Sequence, residues 1–483
     1  MQNQFKNLTN LICLMILLFF CLASVLFLSN VILGEDHPDL VRAPFSKTFL
    51  KYVEDKKAGE IGMLYTASGH SLGLTPHPFD ISYTNLITPD FKASLPANYN
   101  LRNENKLTPI RNQGQCGSCW AFATMGALES SFKPLQERDF SEQHLIRNHG
   151  FQGDPCEGGN FYQAIAYLAR WAGPMDESDI PYTYTSYDAR SEVQKHVQNV
   201  IFIPPRSGPK NNVLIKEAVM EYGAVSTSLF FDDSCYNPAH FAYYNKEIKE
   251  GPHAVAIVGW RDGFSKNRFL DIPPGNGAFI VRNSWGENWG EAGYFYVSYY
   301  DSYFASRDLS AVFRKAEPKV NYSDKYQYDF KGMTMPVGYP PSMVAWMANI
   351  FEARSDSNLK AVSFYAMGST NRATIYVYTN VETGKPISGT LFLKKTIYFY
   401  SPGYYTVRFK QIPIKQYEKF SVVVRLNTGG WEYPIPTEMP IEDYTENVKA
   451  GRGQSFISYD GKHWSDIVKH FKNTNVCLKA FTK

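Results

Sequence analysis

A chain of 483 residues is too long for one ordinary hydrophobic core, so its length predicts two or three domains. Its 44% hydrophobic content suits folded, globular material rather than disorder. The formal net charge is +3, from 49 basic and 46 acidic residues with no dense basic run, which argues against nucleic acid as a partner.

Residues 11–28 carry no charge and lie between Lys6 and the acidic Glu35, Asp36 and Asp39. Such a stretch predicts export, with residues 1–34 acting as a signal peptide or an N-terminal membrane anchor. It is long for a cleaved segment and just long enough to span a bilayer. The two outcomes place the mature chain either secreted or tethered at the extracellular face. Residues 35–92 are polar and mixed, punctuated by Gly, Pro and His without sustained periodicity. They read as a propeptide or connecting segment.

From about 93 to 316 the pattern passes from helical to strand-like. An almost wholly apolar helix is expected over 119–131, a Ser141-capped helix follows, and a third covers 161–172. Apolar β-type runs at 254–260 and 277–281 predict strands. A helical half followed by a β half implies a cleft between two lobes. Residues 320–483 read as all-β, with strands at 374–378 and 420–424 and a hairpin at 456–464 turned by Asp460-Gly461. About 160 residues of short strands suggest a β-sandwich.

The segment Asn112-Gln113-Gly114-Gln115-Cys116-Gly117-Ser118-Cys119-Trp120-Ala121-Phe122 places Cys119 where a glycine-containing turn enters the apolar helix. A helix N-terminus favours the thiolate, the reactive form of cysteine, through its dipole and unpaired N–H groups. Gln113 offers an amide donor for charge developing on a substrate oxygen. Downstream, His253 opens a strand and supplies an imidazole. Asn283, in Arg282-Asn283-Ser284-Trp285-Gly286, can accept a hydrogen bond from it and fix its orientation. Each motif alone is modest evidence, but order and spacing together are specific.

The Gln113–Phe122 run, with His253 and Asn283 in this order, resembles the papain family of cysteine peptidases. The resemblance implies an α+β fold in which a two-lobed peptidase domain (93–316) precedes the β-sandwich. It implies peptide-bond hydrolysis through a thioester on Cys119. His253 would serve as acid and base, Asn283 as its orienting partner, and Gln113 with the Cys119 N–H as the oxyanion hole. Trp285 would cover the Asn283–His253 hydrogen bond. Cys156-Glu157-Gly158-Gly159 matches the segment whose cysteine pairs with the one preceding the nucleophile, implying a Cys116–Cys156 disulfide. Gly158 and Gly159 would let a substrate backbone approach. Phe161 falls beside the pocket for the second residue before the scissile bond, suggesting apolar side chains there.

The chain also departs from the family. Asn148 stands where a cysteine of a second disulfide is common, Pro252 precedes the histidine, and the family's long helical prodomain pattern is not visible. Cys235 and Cys477 have no obvious partner and read as free thiols, with a disulfide between them the alternative, and Trp289 reads as packing.

The layout resembles the branch of papain-like peptidases that carries a C-terminal lectin-like domain on prokaryotic cell surfaces. That branch implies protein or peptide substrates, maturation of surface proteins, and a cell-surface glycan as partner of the C-terminal domain. No cofactor is required. Calcium is associated with the branch's β domain, but no metal ligands are assigned here. The competing readings are a Cys–His cell-wall amidase and a glycan-binding adhesin with a vestigial peptidase fold.

Overall fold

The helix Cys119–Ser130 buries all twelve of its residues. A helix with no polar face needs partners on every side. It finds them in the helices Glu142–Asn148 and Phe161–Ala169 and in the strand Pro252–Arg261. These elements belong to a computed structural model that describes residues 38–60, 64–80, 95–183, 192–247, 251–314 and 316–483. The expected export segment, residues 1–34, lies outside them. Among the described residues no helix is long and apolar enough to cross a membrane.

Local chemistry fixes the short helices. Ser141 accepts the His144 N–H at 3.0 Å, and Asn160 forms a reciprocal capping box with Gln163. The helix begun at Phe161 stops at Ala169, three residues short of expectation. Trp171 takes a left-handed φ of 58° just before Gly173-Pro174, a conformation no helix continues.

The second half is an antiparallel sheet. Its strands run in the order Val200–Ile203, Ser310–Phe313, Val225–Phe230, Pro252–Arg261, Ala278–Arg282 and Tyr294–Ser298. In this register Leu229 lies opposite His253, and Ile257 opposite Val281. His253 thereby starts a strand held on both sides.

Among the described residues between 35 and 92 two elements form that the sequence pattern does not announce, a short strand Val41–Arg42 and a helix over Lys47–Lys57 capped by Ser46. Phe49 is its one buried residue, so it carries almost no periodic signal. Residues 64–80 then pass through the cleft between the two halves.

The C-terminal region is β-rich, as expected. One sheet has six strands, in the order Thr390–Phe399, Asn371–Thr379, Lys419–Asn427, Val344–Glu352, Ser455–Ser458 and Ser465–Asp466. The expected two-residue hairpin at Asp460-Gly461 is instead a wider loop, because Ile457 pairs with Ser465 and Phe456 with Asp466. Asp460 holds that loop by accepting the N–H groups of Lys462 and His463 at 2.8 and 2.9 Å. A second group of strands places Ser357–Ala366 between Gly403–Ile414 and Leu478–Thr482. Gly403 and Tyr404 pair in turn with Ile201 and Val200, so one hydrogen-bonded sheet runs from the C-terminal region into the β half.

Candidate active site

Cys119 and His253 reach the cleft from opposite halves, and neither has exposed surface. The Cys119 Sγ accepts the Ala254 N–H at 3.3 Å, which holds the sulfur beside the residue that follows His253. On the imidazole's other side, Nε2 lies 2.8 Å from Asn283 Oδ1. The same oxygen accepts the Ser284 backbone N–H at 2.8 Å. A backbone N–H can only donate, so the atom facing His253 is the amide oxygen and Nε2 carries the hydrogen. Nδ1 is then the free base. It is buried and has no hydrogen-bond partner. Trp285 stacks on His253 at 4.7 Å between ring centroids.

The two halves are tied behind the site as well. Arg282, next to Asn283, donates to Thr108 Oγ1 at 3.0 Å, and that hydroxyl donates to Glu129 at 2.5 Å. Glu129 lies in the last turn of the Cys119 helix, so one buried chain of polar groups links the far end of that helix to the Asn283 segment.

Burial drives the Cys119 thiol up to about 12, although the N–H groups of Ala254, Gly73 and Trp120 pull the other way. Burial also drives His253 down to about 4 against its bond to Asn283. Burial in protein rather than water thus favours the neutral form of both groups, against the thiolate that the helix N-terminus favours.

That protein is the chain's own segment 64–80. Gln113 Nε2 donates to Ser71 O at 3.1 Å and to Cys116 O at 3.0 Å, and Trp285 Nε1 donates to Ser71 O at 3.3 Å. A carbonyl oxygen thus occupies the place where Gln113 was expected to meet charge. Leu74 bridges Gly159 in parallel fashion, Gly159 N–H donates to Gly73 O at 2.9 Å, and Thr75 N–H donates to Gly159 O at 2.8 Å. On the other side His70 stacks on Trp285 at 4.6 Å, and the Ser68 N–H and hydroxyl both bind Asp233. The crossing itself is all glycine. A Cβ on Gly73 would meet Gly117 O at 2.0 Å, and one on Gly158 would meet Gly73 O at 2.7 Å. Gly158 and Gly159 do admit an extended backbone, and here it is this one.

Cys116 and Cys156 form a disulfide, with 4.6 Å between Cα atoms, that pins the Gly117 turn beside the Gly158–Gly159 ledge. Phe161 opens the helix after that ledge. Cys119 and Cys477 are free thiols. Trp289 packs edge-on to Trp285 at 4.9 Å. Among the described residues no three His, Cys, Asp or Glu side chains converge to hold a metal ion, so no calcium ligands are assigned in the C-terminal domain.

Sequence reasoning brought Gln113, Cys119, His253, Asn283, Trp285, Gly158 and Gly159 to one site but missed His70, Ser71 and Gly73. The one signal was Ser71-Leu72-Gly73-Leu74-Thr75, an apolar run with a central glycine inside a polar segment.

Two lobes with a buried Cys–His–Asn constellation between them define a cysteine protease of the papain type. Residues 95–308 match the model of the papain family cysteine protease and residues 325–482 that of the lectin like domain. Residues 95–308 therefore form a papain family cysteine protease domain, and residues 325–482 a lectin-like domain. Its structure is similar to that of the cysteine protease and lectin-like domains of Cwp84, a surface layer associated protein of Clostridium difficile. That match has a TM-score of 0.77 and 26% identity, and covers 93% of this chain and all of that one. The same clostridial protease after propeptide cleavage matches at a TM-score of 0.70 and 27% identity, over 80% of this chain and 99% of the other. Cathepsin J of Mus musculus is 31% identical over 46% of this chain, and cathepsin K of the same species 32% over 44%. The chain spans 64% and 63% of the length of these two relatives.

Proposed function

We propose that this protein is a cysteine endopeptidase made as a self-sealed precursor. It hydrolyses peptide bonds once residues 64–80 leave the cleft. The observation that carries this reading is the Ser71 carbonyl on Gln113 Nε2. A peptide carbonyl held there occupies the seat of a scissile bond. The segment also continues past Cys119 on both sides, so the vacated cleft is open at both ends and suits the interior of a chain.

With the seal gone, water and substrate dipoles replace the protein around Cys119 and His253, and the ion pair becomes the stable form. The thiolate attacks the carbonyl carbon, and the oxygen takes up the negative charge against Gln113 Nε2 and the Cys119 N–H. Protonated His253 Nδ1 gives its proton to the leaving nitrogen as the C–N bond breaks, leaving a thioester. Water then attacks the thioester carbonyl, Nδ1 takes its proton, and the acid departs with the sulfur freed. Asn283 keeps the imidazole in the tautomer that both steps need.

We further assign the enzyme to the outer face of the cell, secreted or anchored, where it matures surface proteins. The uncharged stretch at 11–28 and the likeness to a surface layer associated protease support this. The lectin-like domain would hold it against glycan. The test is incubation of the wild type and Cys119→Ala with a denatured protein, mapping the cuts by mass spectrometry. Internal cuts by the wild type alone are expected, and equal cutting by Cys119→Ala refutes the assignment of the nucleophile.

A further inference from the structure

The six-stranded sheet of the lectin-like domain has two unlike faces. Along its strands Asn371–Thr379 and Lys419–Asn427, one set of alternate residues, Ile375, Val377, Val422 and Val424, is fully buried in the core. The register lays out the opposite set in rows: Tyr398 beside Arg372, then Arg425 between Thr374 and Trp346, then Lys394 beside Tyr376, with Val423 and Ala348 continuing that row. Trp346 and Tyr376 are half-buried, and Tyr398 is 55% exposed. The strands of Trp346 and Tyr376 are separated by a third, so they lie roughly 10 Å apart across the sheet. Their ring centroids are nevertheless 5.5 Å apart, with 28° between the planes. Both rings therefore lean inward over Val423 and lie along the sheet instead of standing out from it. Lys394 Nζ is 5.6 Å from the Tyr376 ring centroid, and the Arg425 and Arg372 guanidinium carbons are each 5.9 Å from those of Trp346 and Tyr398. Among the described residues none of these three cations forms an ion pair. Of the acids on this face, Asp466 is engaged by the N–H groups of Gly453 and Val468 at 2.7 and 3.2 Å, and Glu352 stands at the far end of its strand.

Rings laid flat on a sheet offer apolar area with a negative face, which fits the C–H face of a sugar ring. Unpaired guanidinium and ammonium groups beside them fit carboxylate or phosphate. A membrane surface would instead call for rings that protrude, and Trp346 and Tyr376 do not. Resting on the reading that the lectin-like domain holds glycan, we propose that this outer face is the binding site. The charge complement makes the ligand an anionic glycan, a sugar chain that carries carboxylate or phosphate groups.

The test uses the full chain carrying Cys119→Ala, titrated with oligogalacturonate, its neutral methyl ester, phosphomannan, neutral mannan, polyglutamate and phosphatidylglycerol vesicles. At least one acidic sugar chain should bind about 10- to 100-fold more tightly than its neutral counterpart, the range of a hydrogen bond to a charged group. Which of the two does so names the acidic group. Arg425→Gln combined with Lys394→Gln should bring that ratio near unity, whereas Lys210→Glu, an exposed site on the catalytic region, should leave it unchanged. Tyr376→Ala should weaken acidic and neutral chains alike, and Tyr376→Phe neither. Each ratio is internal to one preparation, so a loss of folded protein does not move it. A wild-type ratio near unity for both pairs, or a ratio that survives the double substitution, overturns the proposal. So does tighter binding of polyglutamate or of the vesicles than of any sugar chain. If purified cell-wall polysaccharide is bound equally by the wild type and the double variant, the glycan reading stands and this site falls. If the wild type binds neither that polysaccharide nor any of the oligosaccharides, both fail.

Discussion

Replacing Gly73 with alanine tests the seal at its tightest point. The new Cβ would lie 2.0 Å from Gly117 O and 2.2 Å from Gly117 C. Both are backbone atoms, and the turn that carries them is fixed by the Cys116–Cys156 disulfide and by the Gly117 N–H donating to Cys156 O at 2.8 Å. No side chain can swing aside, so the segment must lift. Lifting breaks the two bonds with Gly159, at 2.9 and 2.8 Å, and those from Gln113 and Trp285 to Ser71 O, at 3.1 and 3.3 Å. At about 1 kcal/mol net per hydrogen bond, losing most of these removes roughly 2–4 kcal/mol of sealing. The open population then rises roughly 30- to 1,000-fold. Because burial holds the thiol neutral and unreactive, the rate of covalent labelling of Cys119 by an epoxide reports this opening. Intact mass on early time points restricts the measurement to uncleaved chain. Labelling of Gly73→Ala at the wild-type rate would show that the glycine crossing does not hold the seal.

Three further outcomes follow from the same geometry. Gln113→Ala should lower kcat by about 100- to 1,000-fold with little change in KM, since its donor acts on charge that exists only in the transition state. Steady-state kinetics on one peptide checks this, and a loss confined to KM contradicts it. Asn283→Ala should lower kcat/KM by about 10- to 100-fold, because His253 Nε2–H loses its acceptor and the imidazole its fixed tautomer. An unchanged kcat/KM would mean that stacking by Trp285 alone orients the ring. Burial holds both His70 and His77 below the ordinary histidine value, against the pull of Asp233 on the first and of Asp308 and Asp80 on the second. The sealed state therefore binds fewer protons than the open one, and sealing is complete above about pH 6.5 and weakens as pH falls below it. The protection of residues 64–80 against hydrogen exchange in Cys119→Ala, corrected for the pH dependence of free amides, should fall on acidification, and less so in the His77→Phe variant. Protection that stays constant from about pH 7 to 5 refutes the linkage.

The Cys119–His253 pair makes no such contribution. Sealing turns a thiolate and an imidazolium into a thiol and a neutral imidazole, which together hold the same number of protons. The proton moves within the site, and no net uptake follows.

The sequence made the reacting groups legible because their chemistry restricts residue types: a thiol at a helix start, an imidazole, an amide. Ser141 announced its helix by capping, and the apolar β-type runs announced the strands. What stayed hidden depends on long-range contact. Gly73 matters only because Gly117 and Gly158 lie across from it, and Ser71 contributes a carbonyl that any residue could supply. The helix Lys47–Lys57 buries one side chain and so shows no stripe. The hairpin at 456–464 misled because Asp-Gly is a strong turn signal, whereas here Asp460 caps a longer loop with its side chain.

The pairing of Gly403 and Tyr404 with Ile201 and Val200 bears on how the enzyme meets its targets. A binding module on a flexible tether lets a protease roam within a radius, cutting whatever its cleft can reach. Continuity of hydrogen bonds across the two regions removes that freedom. Any ligand held by the lectin-like region would therefore set the compass bearing of the groove, and with it the angle and height at which the cleft meets another chain.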